Sequence, residues 1–195
     1  RDAQESRGLG DVYKRQTINR AALPAIFNPE DLNALEQALR LKDTHPGSTV
    51  TILTMGPGRA AEIIREGLYR GADNGYLLTD RAFAGADTLA TSYAIATAIR
   101  KIGECDLIIG GRQAIDGDTA QVGPQVAEKL GLSQITYTEE ILNVDETARR
   151  ITVKRHIDGG VETVEGPLPI VLTVNGSAAP CRPRNAKLLQ KYKLS

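Results

Sequence analysis

The 195-residue chain reads as an α/β protein: an open, mostly parallel sheet with flanking helices and a small antiparallel hairpin excursion. Three observations predict this. A strand-length run followed by a helical pattern recurs three times between residues 49 and 130. The run DLIIG at 106–110 is apolar without alternation, as suits a strand covered on both faces. Beyond residue 133 the apolar period drops to two, the spacing of strands with one buried face.

The elements follow in order. Residues 1–16, RDAQESRGLGDVYKRQ, carry neither helical nor strand periodicity, and Gly8 and Gly10 interrupt the one stretch that could coil. They read as a leader, with order expected from Thr17. Asn28 is a candidate helix cap, Pro29 suits the first helical position, and Glu30 and Asp31 place negative charge at the positive end of the dipole. Leu32, Leu35 and Leu39 make one apolar stripe that ends near the turn His45-Pro46-Gly47. A strand over 49–55 meets Gly56-Pro57-Gly58, after which Ala60, Ile63, Ile64 and Leu68 line the inner face of a second helix. A short strand over 75–78 leads to the loop DRAFAGADT, where Asp87 caps a helix over 88–102. The strand at 106–110 is followed by a long loop and a helix over 119–130 that Gly131 stops. Segments 134–142 and 150–156 alternate around a turn near 143–145, a further strand covers 161–164, and 169–174 returns as an apolar core strand. A short basic helix is expected over 184–192.

Composition narrows the function. With 24 basic and 24 acidic residues the net charge is zero, which argues against a general binder of nucleic acid backbones. The charge is uneven, however: from Cys181 onward come Arg182, Arg184, Lys187, Lys191 and Lys193 with no acid, a candidate docking tail. Cys105, expected to be buried or half-buried, and Cys181 lack metal-site spacing, and His45 and His156 are far apart. No apolar run approaches the roughly 20 residues of a membrane span, and no signal peptide is visible, so a cytoplasmic setting is expected.

The chemistry concentrates in GGRQAIDGDTAQVG, from Gly110 to Gly123. It starts at the carboxyl end of an apolar strand and ends inside a helix, the edge where open α/β sheets hold ligands. Amides at Asp118, Thr119 and Ala120 would face outward there, with the Thr119 hydroxyl and Gln121 amide as further donors to phosphate oxygens. Gly110, Gly111 and Gly117 would let backbone approach a bulky group. The alternative is a plain capped helix after a glycine-rich loop, to which Asp116 and Asp118 lend weight because carboxylates repel phosphate. The segment is neither a Walker motif nor the dinucleotide fingerprint. Gly56 and Pro57 form either an adenosine rest or a tight turn. Arg81 meets either a phosphate or flavin carbonyl, or pairs with Asp80 or Asp87. His156 reads as structural, and no nucleophile–base pair converges. A cofactor carrier needs none.

Four stretches then show a family pattern: NPEDLNALEQALRLKD from Asn28, TMGPGRAAEIIREGLYRGAD from Thr54, DRAFAGADTLATSYAIATAI from Asp80 and DLIIGGRQAIDGDTAQVGPQVAEKLG from Asp106. In this order they resemble the beta subunit of electron transfer flavoproteins, across roughly 160 residues, and look most like its bifurcating and nitrogen-fixation-associated group. The resemblance implies a Rossmann-like, adenine nucleotide alpha hydrolase-like fold and a heterodimer with an alpha subunit. It further implies electron transfer between an acyl-CoA or other dehydrogenase, or NADH, and acceptors such as ferredoxin or quinone-linked carriers. The beta-subunit site holds FAD in the bifurcating members and AMP in the simple ones. By the same resemblance Gly56, Pro57, Arg81, Gly110, Gly111, Gln113, Asp118, Thr119, Ala120, Gln121 and Gly123 are the cofactor-binding positions. Lys187, Leu188, Leu189 and Lys191 belong to the partner-docking segment. No metal is implied.

Both ends depart from the family. RDAQESRGLGDVYKRQ stands where members open with a parallel strand, and the basic tail resembles only the start of a longer arm. The expected organisation is a leader over 1–16, a nucleotide-binding domain over 17–176 and a docking segment over 177–195. Loss of an internal strand would expose two pairing edges, so poor folding alone and weak flavin binding are expected. A regulatory module of the universal-stress-protein type, which would dimerise with itself and need no flavin, is the competing function from another class.

Overall fold

The computed structural model describes residues 13–14, 17–18, 25–114 and 119–193. Most of the expected leader, and Asp116, Gly117 and Asp118, lie outside these. Two short strands, β1 (Tyr13–Lys14) and β2 (Thr17–Ile18), pair antiparallel.

Helix α1 (Pro29–Thr44) begins as expected, with Pro29 in its first turn beside Glu30 and Asp31. Asn28 has the extended backbone of a cap, but its side chain does not cap the helix. Its amide instead donates to Asp31 Oδ2 at 3.0 Å and to the Gln113 carbonyl at 2.9 Å. Tertiary partners outcompete the local bond.

Strand β3 (Thr51–Met55) leads through a tight 3-10 turn to α2 (Ala61–Arg70), and β4 (Asn74–Leu78) pairs with β3 in parallel, Thr51 opposite Asn74. Gly67 makes this packing close: a Cβ there would fall 1.9 Å from Ile52 Cδ1. Helix α3 (Thr88–Ile102) has the expected cap, the Ala90 amide donating to Asp87 Oδ1 at 2.7 Å. After β5 (Leu107–Gly111), helix α4 spans Val122–Leu130, and Gly131 ends it in the left-handed conformation at φ 67°.

The remaining strands, β6 (Ser133–Asp145), β7 (Arg150–Ile157), β8 (Gly160–Pro167) and β9 (Ile170–Val174), join β5 in one five-stranded sheet of order β5-β9-β6-β7-β8. The expected hairpin excursion is therefore an extension of the main sheet. Its first turn falls at 146–149 instead of 143–145, because Asp145 Oδ1 accepts the Ala148 amide at 2.8 Å and closes the chain there. β9 lies between parallel neighbours β5 and β6 and is buried at every residue. The parallel strands themselves divide: β3–β4 stands as a pair apart from the β5 sheet among the described residues.

Helix α1 ties the two together. Its Leu35 and Leu39 pack with Ala72, Val50 and Ile52 on the β3–β4 side, while Ala34 packs with Val174 and Ile109 on the other. A second core, Ile135, Ile151, Val153, Ile170 and Leu172, fills the larger sheet's own face. Burying Leu39 or Leu172 stabilises the fold by about 1.5–3 kcal/mol each. Cys105, expected to be buried or half-buried, is exposed, because it sits in the solvent-facing connection between α3 and β5. A short helix, α5 (Ala186–Tyr192), is capped by Asn185, which accepts the Lys187 amide at 2.9 Å, and packs on α2.

Candidate functional site

In a β-then-α chain order the carboxyl end of each parallel strand faces the start of the following helix, and here three such ends carry the sequence motifs. At the end of β3, the Gly56 amide donates to the Leu78 carbonyl at 3.0 Å, lacing it to β4. Pro57 is exposed beside it. At the end of β4, the loop to α3 holds Arg81 in a 3-10 turn. The two carboxylates considered as its partners are used elsewhere: Asp80 Oδ1 accepts the Ala82 amide at 2.8 Å and Asp87 caps α3. Arg81 is exposed with no ion pair among the described residues.

The end of β5 is organised by acids. Asp31 Oδ1 accepts the Gly111 amide at 2.6 Å, and Glu30 Oε2 accepts the Gln113 amide at 3.0 Å. Gly111 and Gln113, expected among the cofactor-binding positions, thus have their amides held by α1 and shape the loop through them. The need for glycine at 111 follows, since a Cβ would meet the Asp31 backbone nitrogen at 2.8 Å. Gly110 has open space beside it. Burial pushes the Asp31 carboxyl above its ordinary range, against the pull of the Gly111 amide and the Asn28 bond. Arg112 follows, 3.4 Å from Glu30 Oε1, with its guanidinium 5.7 Å from the Tyr137 ring centre. Burial works to lower its pKa, but the Glu30 charge and the Tyr137 bond more than offset this and hold it raised.

The loop reaches α4 later than expected. The helix starts at Val122 with Gln121 as its cap residue, so its unbonded first-turn amides are those of Val122 and Gly123, not those of Thr119 and Ala120. The reason is Ala120, whose φ of 53° lies in the left-handed region and cannot begin a right-handed helix. Thr119 is exposed, and its hydroxyl has no partner among the described residues. Gly123 serves close packing: a Cβ would lie 2.4 Å from Thr173 Cγ2 on β9. The Asp118 position lies outside the described residues. One contact unites two motifs: the Thr88 hydroxyl at the start of α3 donates to Gln121 Oε1 at the start of α4, at 3.2 Å. Two helix N-termini, with their partial positive charge, therefore meet beside Thr119.

The tail positions are anchored within the chain. Arg182 donates to Glu36 from Nε at 3.0 Å and Nη2 at 3.1 Å, and to Asp43 Oδ2 at 2.8 Å. Lys187 and Lys191 are exposed on α5, whereas Leu188 and Leu189 are half-buried. His156, read as structural, stands 3.2 Å from Glu139 Oε1, which also accepts the Ser177 hydroxyl at 2.7 Å. Sequence reasoning missed the Glu30 and Asp31 grip on β5 and the Arg112–Tyr137 pair. Both join residues far apart in the chain and carry no local signal.

Among the described residues no group of three or more His, Cys, Asp or Glu could hold a metal, and no helix is long and apolar enough to cross a membrane. Comparison with known proteins matches the electron transfer flavoprotein domain to residues 16–191. The chain is 54% identical over 162 residues to protein FixA of Azorhizobium caulinodans, covering 81% of this chain and 57% of that protein. It is 51% identical over 160 residues to the caffeyl-CoA reductase-Etf complex subunit CarD of Acetobacterium woodii, covering 82% and 60%. The electron transfer flavoprotein subunit beta of Megasphaera elsdenii is 47% identical over 165 residues, covering 82% and 60%. The chain thus spans between 57% and 60% of the length of these three relatives. With that domain matched to residues 16–191, nearly the whole chain, the chain belongs to the electron transfer flavoprotein family.

Proposed function

We propose that the chain is the beta-type subunit of a heterodimeric electron transfer flavoprotein that holds FAD at the carboxyl edge of its parallel strands. The observation that carries this reading is the junction of Thr88 and Gln121, which brings the two helix starts together beside Thr119. The donor set fits a pyrophosphate: helix dipoles, first-turn amides at Val122 and Gly123, the Thr119 hydroxyl and the exposed Arg81 cation. Glu30 and Asp31 hold the preceding loop in place from behind and need not touch the ligand. When bound, the flavin supplies the redox chemistry, taking up one or two electrons. The residues of this chain bind it, orient it and set the charge around it. Residues 17–176 form the nucleotide-binding unit, and 177–195 form the docking segment for the alpha subunit, with a cytoplasmic setting.

The similarity to FixA and CarD favours the bifurcating and nitrogen-fixation type, in which a dehydrogenase or NADH donates and ferredoxin or a quinone-linked carrier accepts. An ordinary subunit that holds AMP is the second reading, favoured by the similarity to a protein named simply as a beta subunit. Co-expression with an alpha subunit and extraction of the bound nucleotides separates them. Two FAD per heterodimer support the first reading, and one FAD with one AMP the second. A complex without nucleotide in this chain overturns both.

A further inference from the structure

Tyr137 has a backbone that its surroundings enforce at a cost. Its φ is 56°, a conformation that a bulky side chain adopts only under constraint. It lies where the β6–β9 register shifts between Ile135 and Thr138, so residues 136 and 137 bulge from the ladder. Such bulges re-aim a side chain beside a site. The bulge is clamped from two sides. Arg155 Nε on β7 donates to the Thr136 carbonyl at 3.0 Å, and the Asn175 amide after β9 donates to the Thr138 carbonyl at 2.8 Å. The strain does not serve burial, because Tyr137 keeps 40% of its surface exposed. It sits at the carboxyl edge, where the Arg112 guanidinium stands 5.7 Å from the ring centre and is itself steadied by Glu30. Arg112 in turn opens the loop that runs to Thr119 and Gln121, and its amide donates to the Val174 carbonyl at 3.0 Å.

We infer that the Tyr137 ring is a stacking platform for the isoalloxazine ring of flavin, with Arg112 fixing its tilt; this rests on the flavin-site reading above. A rigid, partly exposed aromatic ring, aimed by a clamped bulge and backed by a neutralised cation, is suited to a flat, electron-poor heterocycle.

The test co-expresses the chain or its variants with an alpha subunit, strips the complex of nucleotide and titrates it with FAD and, separately, with AMP, following flavin fluorescence in the first case. Tyr137→Leu weakens FAD binding roughly tenfold, the factor one aromatic stack carries, and the bound flavin regains fluorescence. AMP affinity stays unchanged, because AMP has no isoalloxazine. Tyr137→Phe keeps both the affinity and the quenching. Unaltered FAD binding in Tyr137→Leu overturns the inference and leaves the site reading standing. An equal loss for FAD and AMP also overturns it, since the residue would then act on the fold or the adenosine end. Failure of the complex with the unsubstituted chain to bind AMP, or FAD beyond that held by the alpha subunit, overturns the site reading and the inference together.

Discussion

Replacing Arg182 by alanine destabilises the protein by about 2–3 kcal/mol. The Glu36 side chain is only 7% exposed and accepts four bonds, from the Arg182 amide, its Nε and its Nη2, and from Arg40 Nε. The variant deletes two of these and leaves a buried carboxylate with one flanking cation. Truncating one partner of a buried pair costs about 3–5 kcal/mol, and solvent at the 32% exposed Arg182 together with the remaining Arg40 lowers that figure. The contact of Arg182 with the 57% exposed Asp43 adds little. Urea unfolding followed by circular dichroism suits a chain without tryptophan. With a slope of about 2–3 kcal/mol per molar, the midpoint falls by about 1 M.

The pH profile gives a second reading of the same contact. Burial alone would raise the Glu36 pKa, but the Arg182 bonds outweigh it and hold the carboxyl below its ordinary 4.5. The folded value being depressed, this contribution is complete above the unfolded pKa and is lost as the pH falls through the folded one. The difference between wild type and Arg182→Ala is therefore largest above about pH 5 and shrinks on acidification. A loss under about 0.5 kcal/mol, the range of an indifferent surface substitution, or one that does not vary with pH, refutes the assignment.

Two further outcomes follow from the geometry. Gly111→Ala lowers the unfolding free energy from urea titration more than Gly67→Ala, by a difference of about 1–2 kcal/mol. The first Cβ meets the backbone of Asp31, whereas the second meets the movable end of Ile52; the reverse order would show that the α1–β5 junction gives way easily. Substituting Thr119 and Gln121 together with alanine lowers nucleotide retention after desalting by about tenfold or more, the worth of one or two hydrogen bonds to a charged group. Unchanged retention places the phosphate site elsewhere.

The local grammar of this chain is legible where a residue acts on its own element. Pro29 and the Leu35–Leu39 stripe announce α1, Asp87 caps α3, and β9, apolar but for Thr173, reads as a core strand. Legibility fails where partners lie far apart. Asn28 looks like a cap and has the backbone of one, yet its amide reaches Gln113, 85 residues away. Glu30 and Asp31 suit the helix dipole, but their larger task is to hold the amides of Gln113 and Gly111. The ligand of the Gly111 and Gln113 amides in the β5 loop is the protein itself. The start of α4 shifts because the left-handed Ala120 has no mark in the sequence. Tyr137 is hidden for the same reason, its bulge being imposed by Arg155 and Asn175 from other strands.

Helix α1 has a length that its anchors do not allow to change. Along its 16 residues, Glu30 and Asp31 grip the end of β5, Glu36 grips Arg182, and Lys42 at the far end grips Asp73 at 2.6 Å. The anchors of this one rod address three segments of the chain: the end of β5, the tail and the turn before β4. Inserting a single residue between Asp31 and Glu36 would turn everything downstream by about 100° and shift it by about 1.5 Å, so the anchors could no longer be met together. The helix can therefore accept new side chains on its outer face, but it acts as a gauge bar whose count of residues sets the interval between the end of β5 and the tail.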